Sequence, residues 1–161
     1  MPGSAVDAAA VLDACRARGW RLATAESCTG GLIAARLTDV AGASDVVEGG
    51  VVVYANVQKA RWLRVPTKVL EHDGAVSEAT ARAMAEGCRE TFGVDAAVAV
   101  TGVAGPGGGS AEKPVGLVHL AVATPAGTEH RRVVFPGDRA QVRTATVDAA
   151  LALIASAAGG G

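Results

Sequence analysis

Aromatic side chains are scarce: among 161 residues there are two Trp (Trp20, Trp62), one Tyr (Tyr54) and two Phe (Phe92, Phe135). A core must therefore be assembled from Val, Ala and Leu. Cysteine is also scarce, and Cys15, Cys28 and Cys88 are odd in number and share no close spacing. That excludes a disulfide framework and predicts free thiols in a reducing compartment. Charge of one sign is missing as well. Fifteen basic and sixteen acidic residues leave a net charge of -1, and no Lys/Arg run exceeds Arg131-Arg132. A general nucleic-acid surface needs a clustered basic patch, so nucleic acid is not an expected partner. The N-terminus has no basic-then-apolar leader, and no uncharged apolar run reaches the roughly 18–20 residues of a membrane span. The expectation is a cytoplasmic protein with no membrane attachment.

What is present is apolar: 50% of the residues are hydrophobic. Val-rich runs alternate with helical stretches, which indicates an α/β fold whose sheet is covered on both faces. The length predicts one domain over residues 1–158 with a flexible Gly tail at 159–161, and no internal repeat divides it. The expected architecture is a three-layer α/β/α sandwich around a mostly parallel, mixed sheet of about five strands.

The elements follow from periodicity and punctuation. Ser4 is expected to cap a first helix reaching Arg18, with Val6, Ala9, Ala10, Ala14 and Ala17 on its apolar side and Gly19 ending it. Trp20–Ala25 alternates as a short strand, and Leu32 onward has helical spacing. Gly49–Tyr54 reads as a buried strand, and Val57–Leu63 as a helix. Pro66 opens a further helical segment ending near Gly74. Ser77 caps the clearest helix, with Ala81, Met84, Ala85, Cys88 and Phe92 as its stripe, Glu78, Arg82, Glu86 and Arg89 as its charged face, and Gly93 as its stop. Asp95–Thr101 is a buried strand. Val115–Thr124 and Glu129–Phe135 read as an antiparallel pair through a Pro125-Ala126-Gly127 turn. Asp138 precedes a last long helix, roughly Arg139–Ala155, buried on more than one side.

The stretch Thr24-Ala25-Glu26-Ser27-Cys28-Thr29-Gly30-Gly31 joins the first strand to a helix. Two glycines leave no side chain over the first helical turn, so N–H groups around Thr29, Gly30 and Gly31 can approach a negatively charged atom. A hydroxyl beside such donors is a candidate nucleophile with its oxyanion hole. Ser27 and Thr29 are equally ordinary helix caps, and a Cys28 thiol at a helix N-terminus can be activated instead. Local sequence leaves Ser27 and Cys28 both open.

Serine needs a base. His72, His119 and His130 follow no triad-like signature, nor does their spacing suggest a metal site. Lys59, at a helix start beside a strand end, can act if it is held neutral, and Tyr54 can orient or relay its proton. The Gly-rich loop after Thr101 lies beyond a strand's carboxyl end, where α/β sheets bind ligands. It lacks the Gly-Lys-Ser/Thr of a phosphate-binding P-loop. Its N–H groups, with Gly105, the Ser110 hydroxyl, Lys113 and Arg139, form a candidate phosphate site.

Six motifs occur in order: Thr24–Gly31, Tyr54 with Asn56 and Lys59, Gly-Ala-Val-Ser at 74–77, Thr-Gly-Val-Ala-Gly-Pro-Gly-Gly-Gly-Ser at 101–110, Lys-Pro-Val-Gly at 113–116 and Phe-Pro-Gly-Asp-Arg at 135–139. Together they cover nearly the whole chain and resemble the CinA C-terminal domain family. Tyr-Ala-Asn-Val-Gln-Lys stands where that family often has Tyr-Ser-Asn-Glu-Ala-Lys, which keeps the tyrosine–lysine spacing.

The resemblance implies deamidation of nicotinamide mononucleotide to nicotinate mononucleotide and ammonia, without cofactor or metal. It further implies Ser27 as nucleophile in preference to Cys28, Lys59 as base, Tyr54 in support, and Thr101 and Arg139 in the substrate site. Longer members carry an additional N-terminal domain, whose activity is expected to be absent here. A closed homo-oligomer is expected. The alternatives are a catalytically silent nucleotide-binding module and a competence or damage-response interaction module.

Overall fold

In the computed structural model, residues 6–159 are described. Helix α1 (Ala8–Ala17) leads into β1 (Leu22–Glu26), α2 (Leu32–Thr38) and β2 (Val47–Val52). Three helices follow, α3 (Asn56–Leu63), α4 (Thr67–His72) and α5 (Glu78–Phe92). The chain finishes with β3 (Ala96–Gly102), β4 (Leu117–Thr124), β5 (Gly127–Val134) and α6 (Arg139–Gly159). The strands form one sheet in the order β2-β1-β3-β4-β5. β1, β2 and β3 are mutually parallel, β4 is antiparallel to β3, and β5 is antiparallel to β4, so four of the five strands run the same way.

Side-chain size alternates along the central strands and sorts the two faces. Val98, Val100, Val118, Leu120 and Val122 point to a core shared with α1, α2 and α6. Ala23, Ala25, Ala97, Ala99, Ala121 and Ala123 point to the other face, where α5 and the end of α3 cover them. A strand's period of two puts the bulky set on one side, and the alanine face lets α5 approach the sheet closely. α5 also meets α3 closely at Gly87, where a Cβ would overlap the Leu63 carbonyl at the end of α3.

Several expected features need correction. The Ser4 cap lies outside the described residues, and Asp7 caps α1 instead, its carboxylate accepting from the Ala9 N–H at 3.0 Å. The buried stripe of α1 is Ala8, Val11, Leu12 and Cys15, because Val11, Leu12 and Cys15 bury more apolar area than an alanine face would. β2 spans Val47–Val52 rather than Gly49–Tyr54, and it is an edge strand whose residues alternate in exposure, not a buried strand, since it has a single neighbour in the sheet. Finally, α6 extends to Gly159, so that residue belongs to the helix; Gly160 and Gly161 lie outside the described residues.

Other signals hold as read. Ser77 Oγ accepts from the Thr80 N–H at 3.1 Å, Glu78 pairs with Arg82 at 2.8 Å, and Gly93 ends α5 at φ 64°. The hairpin register runs from Leu117↔Val134 to Thr124↔Gly127. By length and composition α6 could cross a bilayer. Here it packs on α1, α2, β3 and β4, with Val142, Val147, Leu151 and Ile154 buried.

Candidate active site

The carboxyl ends of β2, β1 and β3 converge on a cleft of about 310 Å³. Ser27 follows β1, Tyr54 and Lys59 follow β2, Thr101 and Gly102 end β3 with Val103 to Gly108 after them, and all of these stretches contribute to its lining. This is where parallel strands of an α/β sheet leave room for a ligand. None of the residues lining the cleft is acidic. A separate groove of about 330 Å³ between α3 and α4 is lined by Asn56, Val57, Ala60, Thr67, Leu70 and Glu71. It brings no nucleophile and base together.

Lys59 forms the floor. Its side chain is among the largest fully buried ones, with the residue 1% exposed. Nζ lies 3.2 Å from Ser27 Oγ, and it donates to the Val53 carbonyl at 2.9 Å and the Tyr54 carbonyl at 3.0 Å. Among the described residues no carboxylate pairs with it. Burial lowers its pKa from the ordinary lysine value, because the ammonium loses hydration that no counter-ion replaces. A neutral amine has two N–H donors and one lone pair. The two carbonyls take the donors, which leaves the lone pair for the Ser27 hydroxyl.

Ser27 is tethered to the neighbouring strand, its N–H donating to the Val100 carbonyl at 3.2 Å. Cys28 also lines the cleft, but burial pushes its thiol up to about 11. A thiolate at neutral pH is therefore disfavoured, which is the opposite of the helix-terminus activation considered above.

The turn beyond Ser27 departs from the expected arrangement. Glu26, 1% exposed, accepts from Thr29 Oγ1 at 2.6 Å and from the Ile33 and Ala34 N–H groups at 2.9 and 3.0 Å. The positive end of α2 is thus occupied by the protein's own carboxylate. The Gly30 N–H donates to the Ser27 carbonyl at 3.1 Å. Thr29, Gly30 and Gly31 lie outside the cleft lining. From above, Arg143 donates to the carbonyls of Cys28 and Thr29 at 3.1 and 3.2 Å.

Tyr54 touches Lys59 through its main-chain carbonyl. Its hydroxyl accepts instead from Arg139 at 3.1 Å, on a residue that is 60% exposed at the rim. Arg139 also donates to the Gly105 carbonyl at 2.8 Å, so Gly105 enters the site as an acceptor. Thr101 is buried in the lining, and its hydroxyl donates to the Ala75 carbonyl at 2.8 Å. Ser110 and Lys113 do not join them. The Ser110 hydroxyl accepts from the Lys113 N–H at 3.0 Å, and Lys113 Nζ reaches the Asp73 carbonyl at 2.6 Å. The loop closes on itself locally and carries both residues out of the cleft.

No histidine reaches Ser27. His72 is exposed beside Asp73, while His119 and His130 pair with each other at 2.9 Å under α5. Among the described residues no His, Cys, Asp and Glu gather as a metal site. Reading the sequence alone missed Glu26 and Arg143. A glutamate just before a strand-to-helix turn is a local hint of the first, and the four-residue spacing from Arg139 a weak hint of the second.

Residues 5–158 match the family model of the CinA C-terminal domain. A CinA-like protein of Anaeromyxobacter dehalogenans (strain 2CP-C) is 55% identical over 138 residues, which cover 86% of this chain and 34% of that protein. One from Synechococcus sp. (strain RCC307) is 58% identical over 132 residues, 82% of this chain and 31% of its own. The chain thus spans about a third of the length of the curated relatives it matches. Among solved structures, the competence/damage inducible protein CihA from Agrobacterium tumefaciens superposes with TM-score 0.89 at 48% identity, covering 91% of this chain and 90% of that one. A competence-damaged protein (CinA) superfamily protein from Klebsiella pneumoniae gives TM-score 0.92 at 37% identity, covering 96% of both chains.

Proposed function

The chain belongs to the CinA C-terminal domain family, and on that premise we propose that it is an amidohydrolase converting nicotinamide mononucleotide and water to nicotinate mononucleotide and ammonia. The observation that carries this reading is the buried Lys59 amine, without a counter-ion among the described residues, 3.2 Å from the Ser27 hydroxyl. Neutral Lys59 takes the Ser27 proton as Oγ attacks the carboxamide carbon. A main-chain N–H of the turn that follows Ser27, where Cys28 lines the cleft, is the donor for the developing oxyanion. Lys59 then returns the proton to the departing amine, and ammonia leaves an acyl-serine. Water attacks that ester, giving its proton to Lys59, and the Ser27 alkoxide is reprotonated as the carboxylate product forms.

The rest of the cleft supports a small anionic substrate. With no acidic lining, Arg139 at the rim presents the cation for a phosphate, beside Tyr54. A volume near the low end of the ~300–1,000 Å³ usual for ligand sites suits a mononucleotide better than a dinucleotide. We also read the protein as cytoplasmic, which three buried free thiols support, and as a homo-oligomer, which exposed Val52, Tyr54 and Val57 support. The test is to incubate the protein with nicotinamide mononucleotide and measure ammonia and nicotinate mononucleotide together. Equal amounts of both are expected. Thermal stabilisation by the nucleotide with no ammonia would instead favour a silent binding module.

A further inference from the structure

We propose that Arg143 is a positioning residue for the Ser27 attack, acting through the two peptide groups that follow the nucleophile. The inference rests on the reading of Ser27 as the attacking group and deepens it. Arg143 lies one helical turn beyond Arg139 on α6. Its Nε and one terminal nitrogen reach the consecutive carbonyls of Cys28 and Thr29 at 3.1 and 3.2 Å. Among the described residues no carboxylate forms an ion pair with it. The charge is directed at main chain alone.

A carbonyl that accepts a charge-assisted hydrogen bond polarises its own peptide unit, so the N–H of that unit becomes a stronger donor. The Thr29 carbonyl shares its unit with the Gly30 N–H, which donates to the Ser27 carbonyl at 3.1 Å and closes the turn holding the nucleophile. The Cys28 carbonyl shares its unit with the Thr29 N–H, which points away from that carbonyl across a trans peptide. One guanidinium thus stiffens the turn that presents Ser27. Glu26 holds the same turn from beneath through Thr29 Oγ1.

The approach explains Gly30. A Cβ at that residue would stand 3.3 Å from the terminal nitrogen of Arg143, and its φ of +59° disfavours a side chain as well. Lysine is a poor substitute for arginine here, because a single ammonium cannot span two carbonyls in a fixed fork.

Wild type, Arg143→Lys and Arg143→Met are compared in two assays. The first is steady-state hydrolysis of nicotinamide mononucleotide. The second is labelling by a fluorophosphonate, followed by intact mass: Ser27 Oγ bonds to phosphorus, fluoride leaves, and the serine proton passes to Lys59. Labelling reads the nucleophile without reference to the natural amide. For Arg143→Met, kcat is expected to fall ~10–100-fold with KM little changed, and labelling of the folded fraction to slow in step. Arg143→Lys should lie between Met and wild type. Normal labelling of the folded fraction in Arg143→Met, with losses that follow melting temperature alone, would overturn the proposal. Should wild type label at Ser27 yet leave the nucleotide intact, the substrate reading fails while the labelling rates still decide the role of Arg143.

Discussion

Lys59 Nζ and Ser27 Oγ stand 3.2 Å apart although 32 residues separate them, because parallel neighbours β1 and β2 deliver their following segments to the same end of the sheet. Two carbonyls and one hydroxyl surround the amine. If Lys59 works as a neutral base, turnover should rise with pH and level off above its lowered pKa. Stability should rise over the same region. Between the lowered folded pKa and the ordinary value of 10.5, the unfolded chain holds a proton that the folded one lacks, so increasing pH favours folding. Lys59→Met should remove that rise in urea titrations and reduce kcat by about 10²–10⁴. An unchanged pH–stability slope would contradict the assignment.

Glu26 is a buried carboxylate served by three neutral donors. Glu26→Ala leaves two helix N–H groups and the Thr29 hydroxyl unpaired, and should cost about 3 kcal/mol or more in urea denaturation. Glu26→Gln keeps the shape and one carbonyl oxygen, so its loss should be smaller. Equal stability of the two variants would mean that the carboxylate is not what holds the turn.

Gly87 lets α5 touch the carbonyl that ends α3, the helix carrying Lys59. Gly87→Ala ordinarily favours a helix, yet here the methyl must push α3 outward. The expected result is destabilisation of roughly 1–3 kcal/mol together with lower kcat. A more stable, fully active variant would contradict the packing.

His119 Nδ1 and His130 Nε2 hydrogen-bond at 2.9 Å in a stacked pair whose ring centroids are 5.1 Å apart, and burial and the neighbouring imidazole bring His119 down to about 4 from its ordinary 6.5. Well above pH 6.5 the group is neutral in both states. As pH falls from 6.5 to about 4 the unfolded chain gains a proton that the folded chain refuses, so stability should drop across that window. In His119→Gln the drop should be shallower by His119's share. Matching curves for variant and wild type would refute it.

Strand alternation, the Ser77 cap, the Gly93 stop and the hairpin are written in neighbouring residues and were legible in the sequence. Ser27, Tyr54, Lys59, Thr101 and Arg139 were brought together as one site by the motif resemblance, and they line one cleft at the sheet's end. What escaped depended on partners distant along the chain. Arg143 meets the Ser27 turn across 114 or more residues, and only the placement of α6 brings it there. Whether the N–H groups of α2 were free could not be read from Gly30-Gly31, because Glu26 could have pointed elsewhere. Ser110 and Lys113 looked like ligand groups until their mutual turn took them out of the cleft.

The most direct test of the account is ammonia release from nicotinamide mononucleotide by wild type, Ser27→Ala and Cys28→Ala side by side. Turnover is expected in wild type and Cys28→Ala, with its loss in Ser27→Ala. Loss in Cys28→Ala with turnover retained in Ser27→Ala would contradict it.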